Sequence, residues 1–155
     1  KMNSLEDKGM INALYRASEA GVKIDLIIRG ICCLVPNQPF SKNITVTRIV
    51  DAYLEHARVW YFFHEGEEKV YLTSADWMER NLHRRIEVAF PVYSEKPKRQ
   101  IVDILKIQLE DNQSAVWVDE HLNNVFKRDT TSSDEAPVRA QQAIYDYLKK
   151  STGLY

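Results

Sequence analysis

The 155-residue sequence predicts an α/β domain: a mixed sheet flanked by helices. Three observations carry that reading. A helical pattern ending at Gly21 runs straight into the apolar stretch Val22–Ile28. Two apolar stretches flank His64-Glu65-Gly66-Glu67 as a hairpin would. Ile101, Ile104, Leu105 and Leu109 recur at spacings of three and four. Helices interleaved with strands in this way bury their apolar faces by packing against a sheet.

Taken in order, residues 1–3 read as the end of a strand that runs into a helix. Ser4 followed by Asp7 resembles a helix start, with an acid where the dipole favours it. Met10, Ile11, Leu14 and Tyr15 form its apolar stripe, and Gly21 closes it. Val22–Ile28 is the next strand. Pro36, Asn37, Pro39 and Asn43 mark a loop over 34–43, and Ile44–Val46 is a short strand. Ile49, Val50, Tyr53 and Leu54 predict a helix ending near His56. Val59–Phe63 and Val70–Thr73 are the hairpin strands, and Arg85–Val92 alternates as another strand. Pro97 opens the helix that carries Ile101 to Leu109. Val116–Val118 is a short strand. Residues 127–137 form a polar, mobile loop, and a last helix covers Val138–Lys150.

Composition narrows the function. With 45% hydrophobic and 28% charged residues the chain is an ordinary globular one. A net charge of −1 argues against general nucleic-acid binding but leaves room for a local basic pocket. Cys32 and Cys33 are neighbours, poorly placed to bridge each other, and read as two small buried apolar residues in a reduced, cytoplasmic setting. No apolar run approaches the roughly 20 residues of a membrane helix. No repeat or second domain is visible, so residues 1–155 read as one domain. The opening Lys1-Met2-Asn3-Ser4 lies mid-element, so the chain reads as part of a larger protein with partners upstream.

Four groups of residues could carry chemistry. Arg29-Gly30 follows a strand at its carboxyl end, where α/β sheets bind ligands, and a guanidinium fork suits phosphate oxygens. Alone, the step reads more readily as an arginine leaving the sheet for solvent. His56-Ala57-Arg58 puts an imidazole and a guanidinium on one side of an extended chain, able to bind a phosphoryl group or exchange a proton. Alone, His56 would read as a surface histidine. Ser74 and Asp76, after the hairpin, return beside the start of its first strand, near His56. That order, His-x-basic, two strands and a polar loop reaching Asn81, echoes the phospholipase D superfamily, with arginine where lysine is usual. Arg80, Arg84 and their neighbours form a basic cluster: a solvated face, or a channel for a polyanion. Trp77 and Met78 read as core, His64 and His121 as exposed.

Several segments together resemble the larger, histidine-phosphorylated polyphosphate kinases of bacteria. They are Lys1-Met2-Asn3-Ser4-Leu5, Leu14-Tyr15-Arg16-Ala17-Ser18, Gly21-Val22-Lys23-Ile24, Arg29-Gly30-Ile31-Cys32, Tyr53-Leu54-Glu55-His56, Ser74-Ala75-Asp76-Trp77-Met78 and Arg139-Ala140-Gln141. The resemblance spans nearly the whole chain, to Ala143-Ile144-Tyr145-Asp146-Tyr147. It implies a phospholipase D-like fold and the C-terminal catalytic domain of an enzyme that reversibly transfers the terminal phosphate of ATP to polyphosphate. The phosphorylated histidine belongs to the preceding domain, as do the groups that bind magnesium. Arg29 and His56 match this domain's ATP-phosphate contacts, with His56 facing the phosphohistidine. Arg58, Ser74, Asp76, Arg80 and Arg84 are expected along a polyphosphate channel. Ala52 stands where many relatives have arginine. The isolated domain is expected to be inactive, and the full-length enzyme to be a cytoplasmic homo-oligomer, with membrane association left open. The other readings are a phospholipase D-like phosphodiester hydrolase, which needs a second His-x-Lys half, and a non-catalytic assembly module.

Overall fold

A computed structural model describes residues 1–130, 132 and 135–152. Residues 131, 133 and 134 of the loop expected at 127–137 lie outside the described residues. The elements, in order, are α1 (Lys8–Glu19), β1 (Ile24–Ile27), β2 (Ile44–Ile49), β3 (Val59–His64), β4 (Glu67–Thr73), α2 (Glu79–Arg84), β5 (Ala89–Pro91), α3 (Glu95–Glu110), β6 (Ala115–Val118), β7 (Asn124–Phe126) and α4 (Ala140–Thr152). Short 3-10 turns cover Pro39–Ser41 and Lys127–Asp129.

Two sheets are formed. One has the order β1-β2-β6-β7: β1 pairs parallel with β2, while β2, β6 and β7 pair antiparallel. This is the expected mixed sheet. The other is antiparallel, β3-β4-β5, with Val59 opposite Leu72 and His64 opposite Glu67 across the hairpin. Residues 1–5 join the two. Lys1 and Val59 exchange both main-chain hydrogen bonds, at 2.7 and 2.9 Å, and Met2 bridges Ile28 in parallel. The strand expected at 1–3 is therefore a single bridge that ties one sheet to the other.

The main core lies under β1 and β2. Leu5 and Ile28 are fully buried there with Leu26, Leu34, Ile44, Val46 and Trp77, and α1 lays Ile11, Met10, Leu14 and Tyr15 against them. Each such aliphatic side chain removed from water stabilises the fold by about 1.5–3 kcal/mol. α3 covers the hairpin sheet through Val102, packed on Val59 and Val70. α4 seats Ala140 against Ile49 and Ala115.

Helix α1 starts later than the sequence suggested. Asp7 is the N-cap itself, its carboxylate accepting the Met10 N–H at 2.9 Å. That bond is the main reason its pKa lies below the ordinary value. Gly21, at φ +91°, ends α1 in the left-handed region, as expected.

Other boundaries shift for physical reasons. β1 is shorter than Val22–Ile28 and β2 longer than Ile44–Val46, because pairing to β6 carries β2 on to Ile49. The helix expected from Ile49 to His56 is absent. Ile49 ends β2, and Val50, Tyr53 and Leu54 are 69, 76 and 78% exposed, so their helical spacing has no face to bury. The strand expected over Arg85–Val92 reduces to Ala89–Pro91. Ile86 and Val88 alternate but face water, and β4 supplies partners only from Ala89 on. Before it comes α2, and after β6 comes β7; neither short element has a strong apolar period. The start of the polar loop is a 3-10 turn with Lys127 buried: its ammonium donates to the Leu109 carbonyl at 2.8 Å and sits 3.8 Å over the Trp117 ring. Cys32 is buried as expected, but Cys33 is exposed.

Candidate functional site

Ile28, at the end of the parallel pair, is fully buried, and the next residue is Arg29. The core thus fixes the backbone from which Arg29 projects. Gly30 follows, its N–H donating to the Asn3 carbonyl at 2.7 Å. A Cβ at Gly30 would lie 2.9 Å from that carbonyl oxygen, a main-chain atom that cannot step aside, so only glycine fits. Arg48 on β2 donates to the Gly30 carbonyl at 2.9 Å from the other side.

The Arg29 side chain donates through Nε to the Asn3 Oδ1 at 3.0 Å. Among the described residues its two terminal nitrogens take up no hydrogen bond. The other end of the Asn3 amide donates to the Asp76 Oδ1 at 3.3 Å, so its two partners set its orientation. The main-chain N–H groups of Asn3 and Ser4 donate to that same oxygen at 2.7 and 3.2 Å. Asp76 then accepts from the Arg58 Nη2 on Oδ2 at 2.9 Å. Both Asn3 and Asp76 are buried. Burial alone would raise the Asp76 carboxyl, but Arg58 and the two amides outweigh it and hold its pKa below the ordinary value.

Arg58 closes the chain on His56. Its two Nη atoms lie 3.4 and 3.3 Å from Nδ1 and Nε2 of the imidazole. Nη1 also donates to the His56 carbonyl at 3.3 Å, so the guanidinium holds both the ring and the main chain of this residue. A continuous line of contacts thus runs Arg29–Asn3–Asp76–Arg58–His56. It brings together residues from β1's exit, from either side of the hairpin, and from residues 1–4.

Four residues singled out in the sequence meet here: Arg29, His56, Arg58 and Asp76. Three others do not join. The Ser74 hydroxyl bonds Glu87 and accepts the Val88 N–H at 3.1 Å. Arg80 and Arg84 stand exposed on α2, Arg84 paired with Glu79 at 2.7 Å. The sequence reading missed Asn3 and Arg48. The only signal for Asn3 was a polar pair directly after apolar Met2; for Arg48 there was none. The site is open to solvent. Two hollows lie elsewhere, one of ≈ 590 Å³ between the hairpin and the start of α3, one of ≈ 390 Å³ beside Trp117 and Lys127. Among the described residues no group of three or more His, Cys, Asp and Glu could hold a metal ion, and no helix is long and apolar enough to cross a membrane.

Fold and site together define an α/β domain that presents cationic and imidazole groups at a strand's carboxyl end. Residues 1–141 match the family model described as polyphosphate kinase C-terminal domain 2. The chain is 51% identical over 150 residues to a polyphosphate kinase of Yersinia pestis, covering 96% of this chain and 21% of that protein. To the polyphosphate kinase of Halalkalibacterium halodurans it is 48% identical, over 97% of this chain and 21% of the other. The crystal structure of polyphosphate kinase from Porphyromonas gingivalis superposes with a TM-score of 0.94 at 58% identity, over 99% of this chain and 23% of that one. The chain belongs to the polyphosphate kinase C-terminal domain family and has its phospholipase D-like α/β fold. It spans about a fifth of the length of the curated relatives it matches.

Proposed function

We propose that residues 1–155 are a C-terminal catalytic domain that supplies phosphate-contacting groups to a polyphosphate kinase. In this reading the whole enzyme moves the terminal phosphate of ATP to polyphosphate and back through a phosphohistidine on a preceding domain. The observation that carries the reading is the line Arg29–Asn3–Asp76–Arg58–His56, in a chain of this family.

Phosphoryl transfer asks a protein mainly for positioning and charge stabilisation. Arg29 offers two terminal nitrogens held in place through Nε, an arrangement suited to non-bridging phosphate oxygens. Buried Asp76 keeps Arg58 in position, and Arg58 in turn contacts the exposed imidazole and donates to the His56 carbonyl. His56, exposed at the end of this line, donates to a phosphoryl oxygen or takes its proton once a phosphate displaces one of the long Arg58 contacts. The site's openness fits a half-cleft completed by another domain. In this reading the magnesium ion that ATP chemistry usually recruits is held by groups of the preceding domain. Arg80 and Arg84 extend the positive surface as a track for polyphosphate. Unbridged Cys32 and Cys33 and a substrate such as ATP fit a cytoplasmic enzyme.

The test is turnover of the full-length kinase. Arg29→Ala and His56→Ala should each cut it by roughly a hundredfold or more, the scale of losing one positioned donor. Near-normal polyphosphate synthesis by both variants would refute the assignment.

A further inference from the structure

The connection between β2 and β3, residues 50–58, carries His56 and Arg58 but has no regular structure. Its apolar side chains face water, so hydrophobic burial does not hold it. What holds it is polar. The Gln141 Oε1 accepts the Tyr53 N–H at 2.9 Å, and its Nε2 donates to the Tyr53 carbonyl at 2.8 Å. One carboxamide thus exchanges both hydrogen bonds with one residue's main chain, as a neighbouring strand would. The same Nε2 donates to Glu55 at 3.1 Å. The other Glu55 oxygen accepts from Lys1 and Gln108, which are themselves joined at 3.0 Å. Glu55 is the residue before His56.

Gln141 is well placed to act as a fixed post. It stands in the first turn of α4, next to Ala140, which is fully buried and donates its N–H to the Asp111 carboxylate at 2.7 Å. A carboxamide is also the side chain this task needs. It must offer a donor and an acceptor side by side, which a carboxylate or a hydrocarbon does not.

We infer that Gln141 is a positioning residue for His56. It pins the main chain at Tyr53 and the side chain of Glu55, and so sets the direction from which the imidazole leaves the loop. This rests on the role proposed for His56 above. Misplacing a reacting group by an ångström can cost about a hundredfold in rate, so the effect should appear in kcat, with substrate affinity little changed.

The experiment uses the full-length kinase. Gln141→Glu keeps the size but sets a carboxylate against the Tyr53 carbonyl and Glu55. It should lower kcat by roughly tenfold to a hundredfold, leave KM for ATP within about twofold, and speed deuterium exchange at the Tyr53 amide. Adding Glu55→Gln to Gln141→Glu returns an N–H donor to the pair and should recover much of the turnover. Should Gln141→Glu not fold, Gln141→Met, which removes both polar groups at similar length, carries the same test. A purely structural role would lower the melting temperature without changing kcat per folded enzyme, and that result overturns the inference. His56→Ala runs alongside. If it retains normal turnover, the role of His56 fails; if it is dead while folded Gln141 variants keep normal kcat, only the positioning inference fails.

Discussion

Arg29 and His56 stand at the two ends of one line of contacts, yet they are seated by opposite means. Arg29 follows Ile28, the residue just past β1, which is fully buried in one cluster with Met2 and Leu26. His56 rides a connection whose apolar side chains are exposed and whose anchors are amides and carboxylates: Gln141 on Tyr53, Lys1 and Gln108 on Glu55, Arg139 on Asp51. The Arg29 end inherits the rigidity of a close-packed core. The His56 end depends on a few directional bonds, each worth about 0.5–1.5 kcal/mol net. The contrast teaches that one line of contacts can be firm at the end seated on a packed core and adjustable at the end held by polar anchors.

The contrast can be broken or sharpened by substitution. The largest effect is expected at Asp76, where both ends meet. Asp76→Ala leaves Arg58 without its partner and the Asn3 and Ser4 N–H groups unpaired, and should cost about 3–5 kcal/mol in urea unfolding. A loss under about 1 kcal/mol, the level of an exposed pair, would show that the junction does not hold the two halves together. Next comes Ile28→Ala, which removes a fully buried side chain beneath Arg29 and should cost about 2–5 kcal/mol by the same measurement.

Asp51 should show a smaller effect, and one that depends on pH. The Arg139 fork beside it, more than burial or its other bonds, holds its carboxyl well below the usual range. A depressed folded-state pKa means stability that is present above the unfolded value, 3.8, and is lost as pH falls below it. Asp51→Asn should therefore lower the urea midpoint modestly at pH 7 and flatten its decline below about pH 4. An unchanged acid limb would remove Asp51 from the anchors of the loop. The smallest effect is expected at Leu54, which is 78% exposed: Leu54→Ser should change stability by less than about 0.5 kcal/mol. A large loss there would show that the loop is held by apolar burial after all, and the comparison would collapse.

The same contrast explains what could be read from the sequence. The Arg29 side was legible because burial leaves a pattern: an apolar strand, then Arg-Gly at its carboxyl end. The hairpin was legible too, and with it the return of Asp76 to the neighbourhood of His56. The 50–58 connection was misread as a helix because spacing alone suggests a buried face, and nothing local reveals that the face is absent. Nor does the sequence announce Asn3 as the link between Arg29 and Asp76, because a single polar residue has no periodicity. Its partner lies 73 positions away, and that of Gln141 lies 88 away. Nor could charge and position reveal that Ser74 bonds Glu87 and that Arg84 pairs with Glu79.

Those long separations bear on how the molecule comes into being. Its first described residues are stapled to the middle of the chain, and the middle to α4, near the far end. A polypeptide still emerging from the ribosome, with residue 141 not yet joined, can have a finished β1 and α1 and a seated Arg29 while His56 is still unplaced. Pairings between such distant stretches also form slowly compared with local helices. Within this domain the 50–58 connection would therefore take its shape only once α4 docks, after the Arg29 end is already set.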